Sequence, residues 1–237
     1  TGPAGIGKSR LAWEFEKYLD GLVEEVYWHR GRAPSYGEGV TFWALGEMVR
    51  KRAGLLESDD DGTTRRRLHE TVVEWVPDEK DREWVEPAML TLLGLEPAPP
   101  GGREVLFAAW RIFCERIARH GTTLLLFEDL QWADGGQLDF IDHLMEWASD
   151  GPLLVVTLAR PDLLERRPGW GTSARSFNTS GLEPLTDGHM RELLEGLVPQ
   201  MPQAAVERVL ARADGIPLYA VETVRMLVAD GRLTPND

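Results

Sequence analysis

Gly2-Pro-Ala-Gly-Ile-Gly-Lys-Ser9, almost at the head of the chain, has the spacing G-x-x-x-x-G-K-[ST] and constrains the fold more than any other stretch. Gly2, Gly5 and Gly7 allow backbone angles and a close approach that a side chain would block. Successive main-chain N–H groups, those of Ala4 and Ile6 among them, then turn inward and make a concave anion site, with Pro3 shaping the turn. Lys8 is placed to reach the outer phosphates of a polyphosphate, and Ser9 to offer its hydroxyl to Mg²⁺. A helix that begins near Ser9 and continues through Arg10 adds its positive end to the same site. Such a loop leaves the end of a buried strand, and only Thr1 stands before it. The expectation is a chain cut from a longer protein just after that strand.

At 237 residues, with 43% apolar and 27% charged side chains, the chain can bury one α/β core and a smaller appendage. A net charge of −13 argues against a nucleic-acid or anionic-membrane surface on this segment, which would need a basic stripe. Cys114 is the one cysteine, so no disulfide framework exists and a reducing, cytoplasmic compartment fits. No apolar run is long enough to span a bilayer. The five His show no ligand spacing, which leaves a zinc site without support.

Along the chain, strand and helix patterns alternate. Arg10 to Asp20 predicts the helix after the loop, with Leu11, Phe15, Tyr18 and Leu19 at helical spacing. Glu25 to Arg30 predicts a strand, Gly31 to Gly39 a loop, and Thr41 to Ala53 a helix with Trp43, Leu45, Met48 and Val49 available for packing. Residues 58–102 predict a helical insertion without visible chemistry, in which Arg65-Arg66-Arg67 is a solvated face beside Asp59-Asp60-Asp61. Glu104 to His120 is an amphipathic helix with Leu106, Ala109, Trp110, Phe113 and Ile117 on one stripe, and Cys114 reads as a small core residue within it. The runs Thr122 to Phe127 and Leu153 to Ala159 are apolar throughout, as strands buried on both faces of a parallel sheet are. A short strand is expected near 175–182. From Thr186 onward only helical patterns remain.

These patterns predict a three-layer α/β/α P-loop NTPase fold with a mostly parallel sheet over 1–183, its first strand missing, and a small all-α domain over 184–237. A polyphosphate site also needs a metal-binding acid, and the strand 122–127 runs into Glu128-Asp129. Side chains alternate along a strand, so regular geometry forbids both acids from facing one metal. At the strand's end one can hold the Mg²⁺ water shell while the next polarises an attacking water. Asp134 reads as the N-cap of the next helix, with Gln137 completing a capping box. Arg160 follows the next strand, where it is either a γ-phosphate contact or an ordinary surface arginine. Trp28, Trp43, Trp110 and Trp147 are most simply packing residues.

Taken together, Gly2–Ser9, L-L-L-F-E-D-L-Q-W-A-D (124–134), L-A-R-P (158–161) and G-I-P-L-Y (215–219) resemble the STAND class of P-loop ATPases, relatives of the AAA+ proteins. Within that class the chain is most like the ATPase segment of bacterial adenylate/guanylate cyclase proteins that carry tetratricopeptide repeats, and the large LuxR-type regulators have a similar module. The likeness runs along nearly the whole chain. It implies that Lys8 and Ser9 are the Walker A residues and that Glu128 and Asp129 occupy the Walker B pair. It also implies a sensor-type role for Arg160 and packing of Pro217 against the adenine of ATP or ADP. Where the family usually has Asp, this chain has Glu128, whose longer side chain shifts the carboxylate.

The resemblance further implies a slowly hydrolysing switch in which nucleotide state sets the angle between core and helical domain, with cyclase or repeat domains of the parent chain, and self-association, as partners. A P-loop phosphotransferase and a non-hydrolysing nucleotide-binding module are the alternatives.

Overall fold

The computed structural model describes residues 1–22, 24–35 and 41–233, which form two compact units, Glu16–Asn178 and Thr1–Phe15 with Thr179–Asp237. Helix α1 (Lys8–Asp20) has its first residues in the latter unit and its last in the former. The phosphate loop and the C-terminal helices fall in one unit, with the breaks after Phe15 and Asn178.

The larger unit has the mixed α/β, parallel-sheet architecture of a P-loop NTPase. Its strands β1 (Val26–Arg32), β2 (Thr122–Glu128) and β3 (Leu153–Thr157) lie side by side in that order, all parallel. Arg30 stands opposite Leu126 and Arg32 opposite Glu128. Cross-strand partners share a face, and so do residues two apart along a strand. Arg30, Arg32 and Glu128 therefore project from one face at the carboxyl end of the sheet. Leu124, Leu125, Leu126 and Phe127 are almost wholly buried, as their continuous apolar run predicts.

Helix α2 (Trp43–Arg52) lies along β1, α5 (Gly102–Ala118) packs on β2 and β3, and α6 (Gly135–Trp147) packs on α5 and α2. The 58–102 region supplies α3 (Asp61–Trp75) and α4 (Glu79–Leu92), started by the N-caps Asp60 and Asp78. These helices join the main core: Trp110 Nε1 donates to the Ala88 carbonyl at 2.9 Å. Around Trp110, the rings of Phe42, Phe107 and Phe140 meet nearly edge-on or tilted, Phe42 at 4.8 Å between centroids. An edge-on ring pair adds about 0.5–1.5 kcal/mol beyond its buried area. The whole predicted stripe of α5 is buried, Cys114 with it. Of the arginine run, Arg65 pairs with Glu96 and Arg67 with Asp59.

Several local expectations change. β3 stops at Thr157, and Leu154 is 45% exposed, because among the described strands β3 has only β2 beside it. Helix α2 starts at Trp43 after a left-handed Phe42, and Trp43 faces solvent, as does Trp147 at the end of α6. Leu11 and Tyr18 on α1 are exposed, while Ala12 is buried. Residues 36–39 of the loop expected over 31–39 lie outside the described residues, and β1 runs on through Arg32. Short α7 (Asp162–Arg166) follows β3.

In the smaller unit α8 (Asp187–Leu197), α9 (Gln203–Ala213) and α10 (Pro217–Ala229) enclose Met190, Leu194, Val209, Ala213, Ala220 and Val224. Thr186 caps α8, and Pro217 sits in the first turn of α10, where a missing N–H costs nothing. Leu218, beside Pro217 at the start of α10, is exposed. The strand expected over 175–182 is reduced to one rung: the Thr1 amino group donates to the Ser180 carbonyl at 2.6 Å, and Leu182 N–H donates to the Thr1 carbonyl at 2.8 Å. One paired residue is too few for a regular ladder.

Candidate nucleotide site

Gly5 (φ 77°) and Gly7 (φ 107°) both take left-handed backbone angles, the conformation their place in the loop demands. Ile6 between them is buried and anchors the loop. Helix α1 opens at Lys8, so the N–H groups of Lys8, Ser9 and Arg10 belong to its unsatisfied first turn. Lys8 Nζ curls back over the loop and donates to the carbonyls of Gly2 (2.8 Å) and Pro3 (2.9 Å). A Cβ added at Gly7 would enter open space, whereas one at Gly5 would come within 2.8 Å of Leu218 Cβ. Pro3, Ala4 and Ser9 are exposed, and Arg10 pairs with Glu14 and lies over the Trp13 ring. The loop is also tied to the start of α10, where Leu218 N–H, next to Pro217, donates to the Gly5 carbonyl at 3.2 Å. The loop residues and Pro217 therefore meet within one unit.

Glu128 and Asp129 meet within the other, to which Arg160 also belongs. Glu128 closes β2, is 2% exposed, and receives both arginines of its face. Arg30 donates Nε to Oε2 at 2.9 Å and Nη2 to Oε1 at 3.0 Å, while Arg32 Nη2 donates to Oε2 at 3.1 Å. Burial alone would raise the Glu128 carboxyl. The hydrogen bonds and charge of Arg30, and then of Arg32, outweigh burial and hold it below the ordinary carboxylate value. Oε2 has both lone pairs occupied and Oε1 keeps one.

The alternation expected at the strand end does not persist. Asp129 leaves the strand with φ 58° and ψ 37°, a left-handed turn that brings its carboxylate onto the same guanidinium as Glu128. Arg32 Nε lies 3.4 Å from Asp129 Oδ2, and Gln131 Nε2 donates to Oδ1 at 3.2 Å. The Gln131 amide in turn accepts from the Arg160 main-chain N–H at 3.1 Å. The Arg160 guanidinium lies over the Trp132 ring, 5.3 Å from its centroid, with no carboxylate partner among the described residues. Asp134 does cap α6, accepting from Gln137 N–H at 3.0 Å, but the capping box is half made. The Gln137 side chain reaches away to the Leu45 N–H at 3.3 Å.

Arg30, Arg32 and Gln131 carry the electrostatics of this end of the sheet, and motif spacing alone misses them. R-G-R places two arginines on one strand face, and a buried Glu needs a cation, but only the β1–β2 register joins the two facts.

Residues 1–156 match a family described as AAA ATPase domain, more than half of the chain. The chain belongs to the AAA ATPase domain family. The match takes in the loop, the β1 arginines and both acids of this AAA ATPase domain, and ends within β3, so that Arg160 and Pro217 lie beyond it. No curated protein matches the chain. Among the described residues no helix is long and apolar enough to cross a membrane.

Proposed function

We propose that this AAA ATPase domain binds ATP or ADP with Mg²⁺ and hydrolyses ATP slowly, as a switch within a larger protein. The observation that carries the reading is the loop itself: Gly5 and Gly7 in left-handed geometry, immediately before a helix that starts at Lys8. Its concave backbone and open helix end fit an anionic polyphosphate. Bound Mg²⁺ would draw charge from the β- and γ-phosphates. Lys8, released from the Gly2 and Pro3 carbonyls, pairs with the outer phosphates. Ser9 would supply an oxygen to the metal, and Glu128, with a lone pair to spare on Oε1, would serve it through water. Asp129 orients and polarises the attacking water, and Arg160 takes the charge of the γ-phosphate.

The bond from Leu218 to Gly5 supports the switch: whatever occupies the loop acts directly on the first turn of α10, beside Pro217. A nucleotide held by both favours the conformation in which both are in place. The STAND assignment and a cyclase, tetratricopeptide-repeat or transcription-regulator output rest on the sequence resemblance, as does self-association.

The test is nucleotide binding and turnover in the full-length protein. Lys8→Ala abolishes ATP binding, and Asp129→Asn retains it while slowing hydrolysis about 100-fold. Labelled phosphate appears in water. Its transfer to a cellular acceptor would turn the assignment to a phosphotransferase, and tight binding without turnover would leave a non-hydrolysing module. A folded full-length protein that takes up no adenine nucleotide with Mg²⁺ present refutes the reading.

A further inference from the structure

Gln131 lies in a short 3₁₀ turn (Leu130–Trp132), is 4% exposed, and has both ends of its amide engaged. Its orientation follows from its partners, since a main-chain N–H can only donate and a carboxylate only accept. Nε2 therefore faces Asp129 Oδ1 (3.2 Å), and Oε1 faces the Arg160 N–H (3.1 Å). The Gln131 main chain is held too, because its carbonyl accepts from Arg166 Nη1 on α7 at 2.5 Å. The same arginine reaches the Ala133 carbonyl at 3.3 Å. Nearby, Leu130 N–H donates to the Leu158 carbonyl at 3.1 Å. The segments after β2 and after β3 are thus tied twice, once by backbone and once by this amide.

Asp129 needs such a tie. A non-glycine residue in the left-handed region costs roughly 1–2 kcal/mol and persists where its surroundings hold it. Its carboxylate has two holders, Arg32 on Oδ2 and Gln131 on Oδ1. Arg32 is shared with Glu128 and half exposed, whereas Gln131 is buried and bonds to Asp129 alone among carboxylates.

We propose that Gln131 is the positioning residue of the hydrolytic step. It fixes the Asp129 carboxylate for the attacking water and couples that acid to the backbone of Arg160, so that the water-orienting group and the phosphate-sensing segment keep one geometry. The inference rests on the role assigned above to Asp129. Losing the amide is expected to leave nucleotide affinity intact, because both of its polar ends are already engaged, by Asp129 and by the Arg160 main chain. It lowers the fraction of bound complexes with the acid in place, which is a loss in kcat without a change in KM.

The test measures Mg·ATP turnover, nucleotide affinity and thermal unfolding in the full-length wild type and in Gln131→Met, Gln131→Glu, Asp129→Asn and Asp129→Asn/Gln131→Met. Gln131→Met is expected to lose about tenfold or more in kcat with KM within about twofold of wild type. Gln131→Glu keeps an acceptor for the Arg160 N–H but sets a like charge against Asp129, and it is expected to lose at least as much. A purely structural role at the Arg160 turn predicts that Gln131→Glu is rescued. The double variant is expected to be no slower than Asp129→Asn, since both act through one group.

Wild-type kcat in Gln131→Glu, or effects of Gln131→Met and Asp129→Asn that multiply, overturns the proposal while the function of the domain stands. Should Gln131→Met fail to fold, the Gln131→Glu comparison decides alone. Undiminished turnover in Asp129→Asn removes the role of Asp129 and this inference with it.

Discussion

The guanidinium of Arg30 meets Glu128 side-on, with Nε 2.9 Å from Oε2 and Nη2 3.0 Å from Oε1. Two parallel bonds of this kind are the strongest pairing a carboxylate makes with a side chain. They explain how a nearly inaccessible Glu stays ionised at the end of an apolar strand.

Replacing Arg30 by Met strands that charge. Breaking a fully buried pair costs roughly 3–5 kcal/mol. Here Arg30 is itself 34% exposed and Arg32 remains on the carboxylate, so the expected loss is about 2 kcal/mol. Urea unfolding of Arg30→Met beside Arg30→Met/Glu128→Leu checks it. The double variant recovers most of the loss if an uncompensated charge is the cause.

Gly5 and Gly7 separate two reasons for a glycine. Both have positive φ, but only at Gly5 would a Cβ also strike a neighbour, Leu218 Cβ at 2.8 Å. Gly7→Ala is expected to pay backbone strain of about 1–2 kcal/mol. Gly5→Ala adds displacement of the α10 start and is expected to unfold at lower temperature than Gly7→Ala. Thermal melts of the two variants decide it, equal midpoints counting against the clash.

His29 is expected to make the domain acid-sensitive. It is 6% exposed on β1, and its Nε2 accepts from Arg52 Nε at 2.9 Å, which requires the neutral ring. Burial, and then the Arg52 charge, push it down to about 3 from the ordinary 6.5. Between those values the unfolded chain binds a proton that the folded chain refuses, so stability falls as pH falls. From neutral pH to about pH 5 the expected loss from this group is about 2 kcal/mol. His29→Gln, which keeps an acceptor for Arg52, removes that slope. Unfolding free energies at the two pH values should converge between variant and wild type on acidification, and parallel curves would refute the assignment.

Cys114 is buried in α5, and burial, with Glu115 beside it, raises its thiol to about 12. Thiolate, the reactive form, is scarce at neutral pH. The native protein is expected to resist alkylation by iodoacetamide and to label as fast as free cysteine in denaturant. Rapid labelling of the native state would show that α5 opens.

What local sequence determined is whatever depends on spacing along the chain. The loop Gly2–Ser9, helix α1, the apolar strand β2 ending in Glu128-Asp129, the buried stripe of α5 and the Asp134 cap are all written in residues a few positions apart. Backbone conformational limits and the two side-chain periods act at that range. Tertiary structure alone decided which distant groups meet. Register set Arg30 and Arg32 across from Glu128, a left-handed Asp129 overrode strand alternation, and Gln131 found its partners at Asp129 and Arg160. The same holds for Leu218 reaching Gly5 from the far end of the chain. Buried charges and amides must be satisfied by whatever the fold brings within about 3 Å, and that demand has no periodicity in sequence.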